Sequence, residues 1–211
     1  TGAGYSQELR LTSSSDKTNW TLGLFYDDAE IDSQRTGSGV FTSGFPISTS
    51  TSVTKFAESA TSMSIFGTLS YNLSDKVTVD LGGRYYEDDK SQLFLLDGVA
   101  LSDDRTASFN NTSFRGTLSY AMADSANIYF SVSQGFRSGG INFSNQLNYK
   151  PEKILSYEVG AKAALLDNRL YVEAALYHSD YTDYQASFQS LQGNITSNPG
   201  EAEIQGIEWS S

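Results

Sequence analysis

Apolar and polar residues alternate with period two along most of the chain, the signature of extended strands whose two faces meet different surroundings. Trp20, Leu22, Leu24 and Tyr26 share one parity, and Thr21, Gly23 and Asp27 share the other. The same reading holds for Ile65, Gly67, Leu69 and Tyr71, for Val77, Val79, Leu81, Gly83 and Tyr85, and for Phe114, Gly116, Leu118 and Tyr120. It continues through Ile128, Phe130 and Val132, through Val159, Ala161 and Ala163, and through Leu170, Val172, Ala174 and Leu176. With weaker segments at 8–11 and 202–209 the pattern predicts nine strands, and no stripe at helical spacing competes with them.

The second face of these strands is strongly polar: Thr78, Asp80 and Arg84, then Arg115, Thr117 and Ser119, then Glu158, Lys162 and Glu173. In a two-sheet sandwich these residues would form the wet outside, and strands of about five or six residues would suffice. Stretches such as 77–87 and 170–181 are longer, and match the roughly 9 to 11 residues of a tilted strand crossing a bilayer. Short turns at 14–17, 73–75, 123–125 and 167–168 alternate with long polar links at 28–57, 88–109, 138–152 and 187–201. Pro46, Pro151 and Pro199 all fall in the long links, where no ladder hydrogen bond is lost. Short turns on one side and long loops on the other are the layout of an outer-membrane barrel, whereas long structureless links are uncommon inside a compact soluble domain. The expected fold is all-β, an antiparallel up-and-down transmembrane β-barrel segment, with a secreted β-sandwich as the alternative. Nine strands would leave the two chain ends on opposite sides, and bacterial barrels close on an even number. The chain therefore reads as an internal piece of a larger barrel, with its export signal expected upstream.

Composition narrows the chemistry. The 211 residues contain no Cys, which removes disulfides, thiolate metal sites and cysteine nucleophiles. Apolar runs such as 163–166 stop at four residues, far from the roughly 20 that a spanning helix needs. A total of 13 Tyr, 12 Phe and 2 Trp points to a folded chain rather than a disordered one. The net charge of −11 repels a polyanion, so nucleic acid is not an expected partner.

His178, the single histidine, continues the apolar parity of 170–176 and has no second His or Cys to complete a catalytic or zinc site. No catalytic residue and no metal ligand is therefore expected. The acidic clusters Asp27-Asp28-Glu30-Asp32, Glu87-Asp88-Asp89 and Asp103-Asp104 lack calcium-loop spacing and read as solvated loop charge. Gly139-Gly140 follows a strand but opens no helix, which excludes a phosphate loop. Trp20, Tyr71 and Tyr120 fall near one set of strand ends and Tyr26, Tyr85 and Tyr181 near the other, as interfacial aromatic girdles do. Arg84, Arg115 and Arg137 share the inward parity on three consecutive strands, and with Tyr86 they form the candidate ligand-binding set, suited to an anion such as a ferric chelate. The competing reading pairs these arginines with carboxylates inside the lumen.

The segment Ser131-Val132-Ser133-Gln134-Gly135-Phe136-Arg137-Ser138-Gly139-Gly140-Ile141-Asn142 resembles TonB-dependent outer-membrane receptors, in which a similar Gly-Phe-Lys/Arg-Ser-Gly-Gly segment ends an outgoing strand. Pro151-Glu152-Lys153, Ser156-Tyr157-Glu158-Val159-Gly160-Ala161-Lys162 and the strand pair around Asp167-Asn168-Arg169-Leu170 are similar to the same family. So is Asn198-Pro199-Gly200-Glu201-Ala202, continuing to Gly206 and Glu208, and so are 5–11 and 19–26 upstream. The resemblance implies a barrel of about 22 strands closed by a plug, to which 1–211 would contribute about nine strands, without the plug. It implies a receptor or transporter rather than an enzyme, with no cofactor, energised by the TonB-ExbB-ExbD complex acting through an N-terminal plug. It further implies a bacterial outer membrane location among lipid and lipopolysaccharide, and a ferric siderophore or other iron complex as ligand. A passive porin or adhesin barrel is the rival within the membrane. A two-residue turn at Asp167-Asn168 would set Leu166 opposite Arg169, Val159 opposite Leu176 and Lys162 opposite Glu173.

Overall fold

The computed structural model describes residues 2–41, 48–100, 105–142, 147–190 and 193–211. All nine expected strands are present: β1 (Gly2–Ser14), β2 (Thr18–Phe41), β3 (Ser48–Asn72), β4 (Val77–Leu96), β6 (Arg105–Ala123), β7 (Ala126–Arg137), β8 (Glu152–Leu165), β9 (Leu170–Ser190) and β10 (Gly193–Ser210). The two-residue β5 (Val99–Ala100) pairs with β4 alone. Every long strand lies antiparallel to its sequence neighbour in one sheet, ordered β1-β2-β3-β4-β6-β7-β8-β9-β10.

The alternation seen in the sequence becomes two faces of one layer. Tyr71, Val79, Leu118, Phe130, Val159, Leu176 and Ile207 stand directly opposite one another from β3 to β10 and form an unbroken apolar row. The neighbouring row on the other face reads Ser70, Asp80, Thr117, Ser131, Glu158, Tyr177 and Gly206. Nothing covers the apolar row: Leu118, Phe130, Val159 and Leu176 are about half exposed, and among the described residues Ala175 is the only buried apolar side chain. The accessible surface is 14387 Å², whereas a globular protein of 23.0 kDa would expose about 9,600 Å². A sandwich would have buried one of the faces. A single layer with one naked apolar face is the form that lipid stabilises.

Several strands are longer than expected. β2 has 24 residues and β3 has 25, roughly 80 Å along the strand at 3.3 Å per residue and about twice what a bilayer requires. The links expected at 28–57 and 88–109 are thus largely strand, and 187–201 is a hairpin of β9 and β10. Once the register is set below, the backbone ladder propagates upward with no need for an apolar face. Phe56 opposite Phe94 and a 2.9 Å hydrogen bond between the Ser59 and Ser91 hydroxyls support it. Asp97 and Gly98, at φ 50° and 81°, make the tight turn into β5. In link 138–152 the described residues ahead of β8 belong to no strand and carry the isolated bridge Gly140–Tyr149. Pro151 directly precedes β8 and Pro199 sits where β10 slips register, so neither breaks a ladder; Pro46 lies outside the described residues.

The β8–β9 register is the expected one, with Val159 opposite Leu176 and Lys162 opposite Glu173. Their ion pair closes at 2.6 Å. The turn itself differs: the ladder stops at Leu165 opposite Leu170, and Leu166 and Arg169 do not pair. Leu166, Asp167 and Asn168 are all left-handed, at φ 54°, 57° and 65°, and the Arg169 N–H donates to the Leu165 and Leu166 carbonyls. A left-handed turn therefore ends the ladder one residue pair earlier while keeping the same register.

Candidate ligand-binding groove

Three rows of the polar face build the candidate site. The middle row, across β1, β2, β3, β4 and β6, is Arg10, Gly23, Phe66, Arg84 and Ser113. On its outer side runs Glu8, Phe25, Ser64, Tyr86 and Asn111; on its inner side Thr68, Gly82, Arg115 and Ser133. Gly23 is required by a close approach, since a Cβ there would strike the ring of Phe66, which lies across it. Arg10 reaches the same ring with its guanidinium 5.8 Å from the centroid and pairs with Glu8. Together these side chains surround an open groove of about 500 Å³ lined by Arg10, Phe25, Phe66, Arg84 and Arg115.

Arg84 lies 5.3 Å from the Tyr86 ring centroid, a cation–π geometry that holds the guanidinium without neutralising it. Arg115 stands beside Gly82 on the adjoining row. Among the described residues, neither arginine has a carboxylate within ion-pair distance; the carboxylates that pair do so with Arg10, Lys90, Lys150, Lys162 and His178. Among the described residues the lumen-pairing alternative therefore lacks its carboxylates. A planar cation beside aromatic faces presents two-pronged donors to a carboxylate, catecholate or phosphate oxygen.

Arg84, Tyr86 and Arg115 thus come together, and Arg137 does not. Parity fails as a guide at the outer end of β7: Phe136 should fall on the apolar face with Phe130 and Val132, yet its ring packs 5.1 Å from that of Tyr86. Arg137 is exposed, opposite Glu152 at the mouth of link 138–152. There Tyr149, outside the membrane-crossing part, has its phenol pushed above the ordinary 10.0 by burial, with the Arg137 charge pulling the other way. Glu8, Arg10, Phe25 and Phe66 also line the groove, although the sequence pattern did not mark them as site residues. Arg10 lies between Leu9 and Leu11, and that parity was the available signal.

Two further expectations change. Asp88 is no solvated loop charge: it is 2% exposed, with Lys90 Nζ at 3.1 Å and the Ser138 hydroxyl at 2.9 Å. Asp28 accepts from the Tyr26 and Thr61 hydroxyls, and Asp103 and Asp104 lie outside the described residues. Tyr181 stands opposite Ile154 on the polar side, so it leaves the girdle formed by Trp20, Tyr71, Tyr120, Tyr26 and Tyr85 on the apolar side. His178 is on the apolar face as expected, opposite Tyr157 and Gln205, with Asp180 at 3.1 Å and Glu203 at 3.6 Å. No group of three metal-ligating side chains occurs among the described residues. Gly139 has a packing role, since a Cβ there would collide with the Phe109 ring.

A single antiparallel layer, apolar on one face and charged on the other, with short turns at one end and projecting hairpins at the other, is the wall of a membrane β-barrel. The sequence model of the family described as "TonB dependent receptor-like, beta-barrel" matches residues 1–211, and the chain belongs to that family, whose members are receptors and transporters of the bacterial outer membrane. It is 31% identical over 140 residues to the ferrichrome outer membrane transporter/phage receptor of Escherichia coli K12, covering 64% of this chain and 17% of that protein. To the catecholate siderophore receptor Fiu of Escherichia coli UTI89 it is 29% identical over 118 residues, 51% of this chain and 15% of that one. The crystal structure of the siderophore receptor PiuA from Acinetobacter baumannii superposes with a TM-score of 0.77 at 18% identity, over 99% of this chain and 35% of that one. The chain thus spans less than a quarter of the length of these curated relatives.

Proposed function

We propose that this chain forms part of the lumen wall of an energy-coupled outer-membrane receptor for a ferric siderophore or similar iron complex. The observation that carries the reading is the pair Arg84 and Arg115, cationic, exposed and unneutralised among aromatic rings on the lumen-type face, in a family whose relatives include ferrichrome and catecholate siderophore receptors. In a chain of net charge −11 the groove has the opposite local sign, which suits an anionic chelate. Residues 1–211 then supply about nine strands of the barrel. The remaining strands, and an N-terminal plug through which TonB-ExbB-ExbD delivers energy, come from the rest of the receptor. The apolar face contacts outer-membrane lipid and lipopolysaccharide.

Radio-iron uptake tests the reading in a strain deleted for the receptor and complemented with it, given ferric tris-catecholate or ferric tris-hydroxamate under iron limitation. Uptake should require the gene and stop when a protonophore collapses the proton-motive force. Uptake that needs the gene but survives the protonophore would mark a passive pore instead.

A further inference from the structure

The outer end of β7 departs from the wall. Its ladder with β6 ends at the Arg115–Ser133 pair, although β6 continues outward to Arg105. Beyond that point residues 134–137 remain paired with β8, but on the β6 side 134–139 are held by side chains. The Phe136 ring packs on Tyr86 at 5.1 Å. The Ser138 hydroxyl donates to the Asp88 carboxylate, and Lys90 Nζ donates to the Gly139 carbonyl at 2.6 Å. Gly139 sits against the Phe109 ring so closely that a Cβ would collide with it. From the far side, Gln185 Nε2 fastens the Ser138 carbonyl at 2.9 Å.

What lies beneath is chemically incomplete. Tyr86 stands opposite Asn111 and Asp88 opposite Phe109, a block of four positions on one face. The segment touches Tyr86, Asp88 and Phe109. The remaining position, Asn111, is 4% exposed, and neither its amide nitrogen nor its amide oxygen has a hydrogen-bond partner. On the other flank of Tyr86, Ser64 is 5% exposed and its hydroxyl is likewise unpartnered. Buried polar groups are almost always satisfied, because the desolvation penalty is otherwise uncompensated. These two sit beside the groove that holds Arg84.

We propose that residues 134–139 are a hinged cover over Tyr86, and that Tyr86, with Ser64 and Asn111 on its two flanks, forms a second binding surface for the amide or hydroxyl periphery of a ligand whose anionic part rests on Arg84 and Arg115. The proposal builds on the groove reading given above. The three side chains are uncharged, and each both donates and accepts, which matches neutral hydrogen-bonding groups rather than a charge. Opening breaks the Phe136, Ser138 and Gly139 contacts but no ladder bond to β6, while Gln185 and β8 keep the segment anchored.

The chain has no cysteine, so an introduced thiol reports on its own position within it. In the complete receptor, Asn111→Cys should react with a water-soluble maleimide under native conditions, at least tenfold more slowly than Leu147→Cys, whose parent residue is 87% exposed. Adding Phe136→Ala should accelerate Asn111→Cys labelling at least fivefold, and ferric tris-catecholate should slow it. If Asn111→Cys does not assemble, Ser64→Cys on the other flank is read in the same way. Heat-modifiable mobility confirms a folded barrel in each case. Complete protection of the buried thiol, with and without Phe136→Ala, while Leu147→Cys labels fully, would overturn the cover. The two readings fail separately: accelerated labelling with normal chelate affinity in Arg84→Ala removes the groove but keeps the cover, whereas weakened affinity with an inert thiol removes the cover alone.

Discussion

Leu81→Arg probes the membrane reading through one side chain. Leu81 is the fifth residue of β4, on the apolar face, opposite Leu69 on β3 and Gly116 on β6, and 51% exposed. At a rise of about 3.3 Å per residue and a tilt near 45°, it stands about 9 to 10 Å above the start of the strand, close to the middle of an apolar band roughly 25 Å tall. An arginine there should destabilise the barrel by about 2 to 4 kcal/mol, a factor of roughly 30 to 700 in the folding equilibrium. Asp80→Asn, one residue away on the polar face, should cost well under 1 kcal/mol by comparison, as lumen-side changes do. Leu147→Arg makes the same chemical change in the β7–β8 link, and it should cost little because Leu147 is already 87% exposed there. The assay is denaturant titration of the complete receptor in lipid vesicles, with heat-modifiable mobility reporting the folded barrel. Equal destabilisation by Leu81→Arg and Leu147→Arg would refute the assignment of the apolar face to lipid.

Other consequences follow from particular contacts. A double-mutant cycle on Lys162→Ala and Glu173→Ala should give a coupling of about 0.2 to 1 kcal/mol that shrinks in high salt, the pair being cross-strand and half exposed; zero coupling at low salt would argue against the register. Gly139→Ala should displace link 138–152 from the Phe109 ring at a cost of about 1 to 3 kcal/mol, visible as faster proteolysis of that link with the barrel intact. The Tyr149 phenol should ionise above its ordinary 10.0, and Arg137→Ala should raise it further, because the Arg137 charge lowers it now. Since that folded-state pKa is raised, the associated stability is present below pH 10 and is lost as the pH climbs through the folded value, as ultraviolet titration of wild type against Tyr149→Phe would show.

The membrane-crossing half of this fold was legible in the sequence because lipid imposes a strict period of two. Alternation alone places Phe130, Val159 and Leu176 on one face, and the strand register sets them in one row. The projecting halves of β2 and β3 were not legible, since a strand with water on both faces needs no alternation and its Ser, Thr and Gly residues read as loop. The same limit applies at the top of β7. Parity there put Phe136 outward, but the strand leaves β6 after Ser133 and the ring turns to Tyr86. That departure depends on Gly139 fitting against Phe109 and on Asp88 receiving Ser138, contacts about 30 to 50 residues apart in sequence. Arg84 and Arg115 were found because they sit low on well-paired strands. Arg10 shared the property and went unread because its strand alternates over only a few residues.

The central claim is that unneutralised arginines on this wall hold an anionic iron complex. Equilibrium binding of ferric tris-catecholate, a trianion, to the complete receptor should be compared between wild type and Arg84→Ala/Arg115→Ala, with a neutral ferric tris-hydroxamate as reference. Each charge-assisted bond is worth about 1.5 to 3 kcal/mol, so the double variant should lose at least about 100-fold in affinity for the trianion, most strongly at low salt, and far less for the neutral chelate. Unchanged affinity for the trianion in a correctly assembled double variant would contradict the account.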